Sequence, residues 1–181
     1  MKYWSKSALT IYRYLETMSS TIDKIVVSTG KTSYSSMLQK YQSTYYQAGK
    51  MIELVERKRK MINLKIAVED AFASLNVMDR RILGLVYVDG VKSEKVAKLL
   101  NMSLRTFFRR KIIALSNFTE EMELAGFNSE FFIKEYSKER WFLSVYNDCI
   151  QKGSNEDCLN GHVVKRVLNE VGQVEMVNDA Y

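Results

Sequence analysis

The side chains best placed to do chemistry lie between residues 92 and 111. Over residues 91–118, seven basic groups (Lys92, Lys95, Lys98, Arg105, Arg109, Arg110 and Lys111) stand against one acid, Glu94. Cations at this density are what neutralising a phosphate backbone needs. Arg105 and Arg109 are four residues apart, so a helix places them on one face. An arginine there can donate a pair of hydrogen bonds to guanine in the major groove. Arg110 and Lys111 would point elsewhere and suit phosphates, as would Lys92 and Lys95. A solvated basic face has the same composition, so charge alone decides nothing.

Other candidates are weaker. Gly30-Lys31-Thr32-Ser33 matches the end of a phosphate loop, but the first glycine of that motif should stand at position 25, which is Ile25. Ser33 reads better as a hydroxyl cap for a following helix. Cys149, Cys158 and His162 suggest a metal site, yet their spacings of nine and four lack close pairs and a fourth ligand. Arg57-Lys58-Arg59-Lys60 wraps all sides of one helical turn and reads as a solvated turn or as a phosphate contact. No nucleophile elbow, paired-carboxylate motif or complete phosphate loop appears. The expectation is a binding protein rather than an enzyme, with no cofactor and no metal.

The basic residues need elements to position them, and residues 75–118 supply the signals. Asn76 is a good N-cap, and Asp79 can close a capping box with it. Ile82, Leu83 and Val86 would face inward. Asp89-Gly90 ends that helix, with Gly90 free to take positive φ. Ser93 would cap a short second helix, with Glu94 favourable at its positive end. Val96, Leu99 and Leu100 form its apolar stripe, and Ala97 is small enough for a crossing helix. Asn101 can adopt the left-handed conformation of a turn, Met102 would plug the core, and Ser103 would cap a third helix opening Leu104-Arg105-Thr106. Phe107 would pack on the preceding helix. Phe108 could pack on a neighbour or touch thymine methyls. A short helix, a tight turn and a basic helix make a helix-turn-helix.

This stretch resembles the fourth conserved region of sigma-70 family factors. The matching frame is Asp79-Arg-Arg-Ile-Leu, Tyr87-Val-Asp-Gly, Glu94-Lys-Val-Ala-Lys-Leu-Leu-Asn-Met-Ser and Arg105-Thr-Phe-Phe-Arg-Arg-Lys. The run from Ser103 to Leu115 is also similar to ArpU-like late transcriptional regulators of phages of Gram-positive bacteria. The resemblance covers about a quarter of the chain. It implies that Ser103, Arg105, Thr106 and Arg109 lie on a face that reads promoter DNA, and that RNA polymerase is a partner. Asn101 replaces the usual turn glycine. Residues 1–75 do not resemble the second sigma region, which favours a stand-alone regulator.

The flanks read as helical. None of the 181 residues is proline, and only eight are glycine. That argues for long helices joined by short turns and against a β-sandwich or a Pro-rich tail. Trp4, Ala8, Ile11, Leu15, Met18, Ile22 and Ile25 recur at helical spacing, and residues 28–33 read as a break. From Tyr34 to about Leu75 the repeat of Met37, Tyr41, Ala48, Ile52, Val55, Ile62, Ile66 and Phe72 predicts one long helix, or two with a kink near Gly49. Such a helix packs along others or pairs with a second copy, although Arg59 interrupts the heptad pattern. The third helix of the motif should run on through Phe118 to Leu124 and end at Ala125-Gly126, with Glu120, Glu121 and Glu123 turning its far end acidic. Asn128 or Ser129 would cap a helix over about 129–152, whose Phe131, Phe132, Tyr136, Trp141, Phe142, Val145 and Tyr146 suit packing on the long helix or dimerisation. A polar loop over 153–161, a last amphipathic helix over 162–172 and a loose end complete the chain.

The net charge of +6 is uneven: residues 1–75 carry +6, residues 76–126 carry +3 and residues 127–181 carry −3. The first residues lack the apolar core of a signal peptide. The longest apolar run, Ile82 to Val88, falls short of the ~20 residues that span a bilayer. Two cysteines make no disulfide framework. These features predict a cytoplasmic protein with no membrane partner.

The expected architecture is all-α, a helical bundle with a central helix-turn-helix and a long helix N-terminal to it. Residues 1–75 would form an N-terminal helical region that supports or oligomerises, 76–126 the DNA-binding domain, and 127–181 an aromatic helical region and tail. The expected function is sequence-specific binding of double-stranded DNA to regulate transcription, with a homodimer reading two half-sites. The rivals are a phage small-terminase-like DNA-packaging subunit and an adaptor that docks on polymerase without binding DNA.

Overall fold

A chain without proline and with periodic apolar residues has little to stop a helix once begun. In the computed structural model, which describes residues 2–35, 44–153, 167–169 and 171, this produces helices α1 (Tyr3–Ser35), α2 (Thr44–Ser74) and α3 (Val77–Leu83), the last continued by a π-helical turn (Gly84–Val88). Helices α4 (Ser93–Leu99), α5 (Leu104–Leu124), α6 (Ser129–Tyr136) and α7 (Arg140–Lys152) follow. No strand occurs among the described residues, so the fold is all-α. No helix among them is long and apolar enough to cross a membrane.

Trp4, Ala8, Ile11, Leu15, Met18 and Ile22 of α1 are all buried. The first two turns are enclosed on every side, because Ser5, Lys6, Ser7 and Thr10 are buried as well. Their polar atoms find partners. Ser5 Oγ lies 2.7 Å from Thr119 Oγ1 on α5, Lys6 Nζ donates to the carbonyl of Gly153, and Trp4 Nε1 donates to Ser129 Oγ at 3.0 Å. This end of α1 is therefore the hub around which α5, α6 and α7 pack. Further along, the Tyr12 hydroxyl donates to Glu69 of α2 at 2.9 Å. Burial and the adjacent carboxylate push the Tyr12 phenol up to about 12.

The expected break at residues 28–33 is absent, for α1 continues to Ser35. Ser28 Oγ donates to the carbonyl of Ile25 at 2.9 Å, so its hydroxyl is satisfied inside the helix. Ser33 therefore lies inside α1 and caps no following helix, and the helix expected from Tyr34 opens instead at Thr44 as α2.

The long helix α2 is unbroken through Gly49. Its buried face is not the expected one. Leu54, Arg57, Met61, Leu64, Val68 and Ala71 form the inward row, continued by Leu75 just past the helix end, whereas Ile52, Val55, Ile62 and Ile66 are 42–65% exposed. Ala48 is exposed and Phe72 half-buried, while Met37 and Tyr41 lie outside the described residues. Both rows have helical spacing, and only the position of α1 decides which is covered.

Three cations of the basic turn of α2 are tied into the fold by acids, and only Arg59 stays at the solvated surface. Arg57 contacts Glu53 at 3.0 Å and Glu139 at 3.3 Å, and donates to the carbonyl of Val171 at 2.7 Å. Lys58 pairs with Asp23 on α1, Arg59 with Glu56, and Lys60 with Glu139 at 2.8 Å.

Glu139 also explains why residues 129–152 form two helices rather than one. Its carboxylate is drawn inward to Arg57 and Lys60, and it accepts Trp141 Nε1 at 2.9 Å, which interrupts the helix at Ser137–Glu139. Asn128 is the cap of α6, its side chain accepting the Phe131 amide at 2.9 Å. The aromatics of α6 and α7 are core: Phe132 stacks on Trp4 at 4.6 Å and on Phe142 at 5.3 Å, and Tyr136 meets Trp141 edge-on. The Tyr136 hydroxyl donates to the carbonyl of Lys60. Burial, with help from Glu135 and Glu139, raises its pKa well above the ordinary phenol value.

Of the expected helix over 162–172, Val167–Asn169 and Val171 are described and helical, with Val167 and Val171 buried. The expected loop over 153–161 and the terminal residues lie outside the described residues, apart from Gly153. Buried residues from Trp4 to Val171 form one continuous core.

Candidate nucleic-acid interface

Local signals build this site nearly residue by residue. Asn76 caps α3, its side chain accepting the Asp79 amide at 2.9 Å. Asp79 does not complete a capping box through the Asn76 backbone. Its carboxylate instead accepts the side-chain amides of Asn76 at 2.7 Å and of Asn117 at 2.6 Å, which ties α3 to α5. The π-helical turn ends at Asp89, whose amide donates to the Gly84 carbonyl. Gly90 then takes φ +67°. A methyl group there would also collide with the Arg13 guanidinium, 2.2 Å from where its carbon would sit.

The cap of α4 is Lys92 and not Ser93, which is the first helical residue and is buried. Val96 and Ala97 are buried as expected and Leu100 is partly so, but Leu99 is 60% exposed and leaves the stripe. Asn101 sits at φ +51°. Around it the Met102 amide donates to Ala97 at 3.0 Å and the Asn101 amide to Lys98 at 3.1 Å, a Schellman closure of the helix. Met102 is half-buried against the core. Ser103 caps α5, its hydroxyl accepting the Thr106 amide at 3.2 Å and lying 2.8 Å from the Thr106 hydroxyl. Helix α5 ends in a second Schellman closure at Ala125-Gly126, with Gly126 at φ +87°.

Asn101→Ala is expected to destabilise the chain by about 1–2 kcal/mol, because a Cβ without a polar group disfavours positive φ. Asn101→Gly is expected to be far milder. Equilibrium urea unfolding of both variants checks the ordering.

Most of the candidate contact residues are where the sequence placed them. Lys92, Lys95, Ser103, Arg105, Thr106, Arg109 and Arg110 are all exposed. Two differ in detail. Arg110 does not point away from the other arginines: Arg105, Thr106, Arg109, Arg110 and Ile113 line one open groove, floored on one side by Asp79. Lys111 is 1% exposed and cannot reach a phosphate. It lies on the inner side of α5, with Nζ 5.5 Å from the centre of the Tyr87 ring and 6.0 Å from that of Phe108. The 3.6-residue period explains this: Lys111 is four residues beyond fully buried Phe107 and shares its face.

Phe108 packs edge-on against Phe107 at 5.4 Å and is half-buried. Ile112 and Ile113, exposed by 45% and 48%, continue the outward face beyond the arginines. Sequence reasoning missed them, although Ile113 stands four residues after Arg109 and eight after Arg105. Past them the face turns acidic, and Glu123 pairs with Lys2.

No group of His, Cys, Asp and Glu among the described residues could hold a metal ion. Cys149 is buried in α7, and Cys158 and His162 lie outside the described residues. No protein-family model matches the chain, and neither does any curated protein or solved structure.

Proposed function

We propose that this chain is a sequence-specific, non-enzymatic DNA-binding regulator of transcription. In this proposal α5 enters the major groove of promoter DNA, as the resemblance to the fourth sigma region and to ArpU-like phage regulators implies. One observation carries it. The N-terminal half of α5, capped by Ser103 behind the Asn101 turn, presents Arg105, Thr106, Arg109 and Arg110 together on an open surface. Arginines presented this way suit paired bonds to guanine edges. Exposed Lys92 and Lys95 at the start of α4 suit phosphates beside the groove. Ile112 and Ile113 suit thymine methyls. The acidic second half of α5 stays off the duplex, and the outer surface of the motif remains open to RNA polymerase.

Selection of bound fragments from random duplex DNA by the full chain is expected to return a defined sequence, with affinity falling steeply as salt rises. Arg109→Ala is expected to relax the preference at one base pair, by about 1–3 kcal/mol. Lys95→Ala is expected to weaken all sequences alike and lower the salt slope by about one. Retention of no DNA at low salt, or equal behaviour of the two variants on selected and random duplexes, rejects the proposal.

A further inference from the structure

Helix α2 carries two apolar rows. The inward one is used up by the core. The other runs Tyr45, Ala48, Ile52, Val55, Arg59, Ile62, Ile66, in alternating steps of three and four. At 100° per residue it lies about half a turn from the inward row. Its large members are exposed throughout: Tyr45 by 88%, Ile52 by 65%, Val55 by 53%, Ile62 by 42% and Ile66 by 51%. Single exposed apolar residues need no explanation, but a row at heptad spacing, interrupted only at Arg59, has the pattern of a helix-pair seam.

We infer that this row pairs with the same row of a second copy, the two α2 helices running parallel. The flanks choose the partner and the direction. Lys58 and Lys65 border the row on one side, Glu56 and Asp70 on the other. A parallel pair sets Lys65, which Glu16 of its own α1 approaches at 3.6 Å, beside Asp70 of the second copy, five residues on, so the lysine would bridge the two carboxylates. An antiparallel pair sets Lys58 beside Lys65 and repels.

Arg59 points the same way. In a parallel pair it faces its own counterpart and every apolar rung meets an apolar rung. In an antiparallel pair it is pressed onto Val55 or Ile62. Its guanidinium already holds Glu56 at 2.8 Å, so each copy brings the neutralising charge with it. One polar rung in such a seam fixes register at some cost in stability. The core row lies on the far side of α2, and α1 borders the seam only at its lysine flank, through Asp23 and Glu16, so among the described residues the large apolar members of the row stay uncovered. Lys58 is held at the flank by Asp23 at 2.6 Å.

The pairing stands on α2 alone, but its consequence rests on the DNA-binding proposal. Phe72 near the end of α2 meets Phe118 of α5 at 5.7 Å. A parallel pair therefore brings both copies of α5 to the same end of the seam, where two half-sites can be read together. An antiparallel pair would part them by about the length of α2, roughly 46 Å at 1.5 Å per residue.

Sedimentation equilibrium of the full chain tests this. The wild type is expected at twice the chain mass. Ile62→Glu is expected at the chain mass with unchanged helical content, since the site is on the surface, and with salt-dependent binding of random duplex DNA retained. Ile52→Cys and Ile66→Cys are each expected to cross-link to themselves under mild oxidation, over the wild-type background. An antiparallel pair can bring at most one of these positions onto itself. A monomeric wild type, a ring of many copies, or an Ile62→Glu dimer overturns the pairing. Self-linking at only one position overturns its direction. An intact dimer that binds no DNA supports the pairing and strikes the functional proposal instead.

Discussion

Glu139→Ala is expected to lower unfolding free energy by about 3–5 kcal/mol, the range for breaking a buried ion pair by removing one partner. Glu139 and Arg57 each expose only 10% of their side chains, and Lys60 22%. The carboxylate serves Arg57, Lys60 and the indole of Trp141 at once. Its loss removes the shared charge partner of two largely buried cations and the acceptor of the indole N–H, while Arg57 keeps Glu53 and the Val171 carbonyl and Lys60 keeps the Glu135 carbonyl. The cost comes from those under-compensated groups, not from a large intrinsic value of the pairs. Glu139→Gln keeps an acceptor for Trp141 without the charge and is expected to fall between. Denaturant unfolding of the three proteins, with slopes compared, is the measurement. A loss below about 1 kcal/mol for the alanine variant would mean that water already screens the site.

Phe107→Ala is expected to be equally severe, at about 3–5 kcal/mol for a large-to-small change at a fully buried aromatic. Phe107 is 0% exposed and stands in the first turn of α5, beneath Arg105 and Arg109. Its removal loosens the packing that orients that turn. Under the proposed function, specific DNA binding should then fall even where the chain is still folded. Leu104→Ala is the control. Leu104 is 43% exposed in the same turn, and its truncation should change stability by no more than about 0.5 kcal/mol. Near-native stability for Phe107→Ala would show that the motif does not depend on this contact.

Lys111 separates what each level of description could see. By composition it is one more cation in a basic stretch. By helical period it belongs with Phe107 and Leu115, on the inner face of α5. Which face is inner follows from α3, α4 and the π-helical turn closing over it, and no window of a few residues contains that information. The same holds for α2, where two equally periodic rows compete. Ser5, Lys6 and Ser7 look like a polar helix start and are buried because α5 and α7 close around them.

The all-α class and the punctuation of the motif were legible from residue types and spacing. Asn76, Gly90, Asn101, Ser103 and Asn128 each took the cap or turn position their chemistry suits. Those outcomes are local, since a helix end must satisfy its backbone groups within a few residues, and few side chains can do it. The tertiary structure alone decided which row of α2 is covered, that Glu139 gathers Arg57 and Lys60, and that Arg110 joins the groove while Lys111 leaves it. Those outcomes depend on residues far apart in the chain, because burial is set by whatever packs against a face.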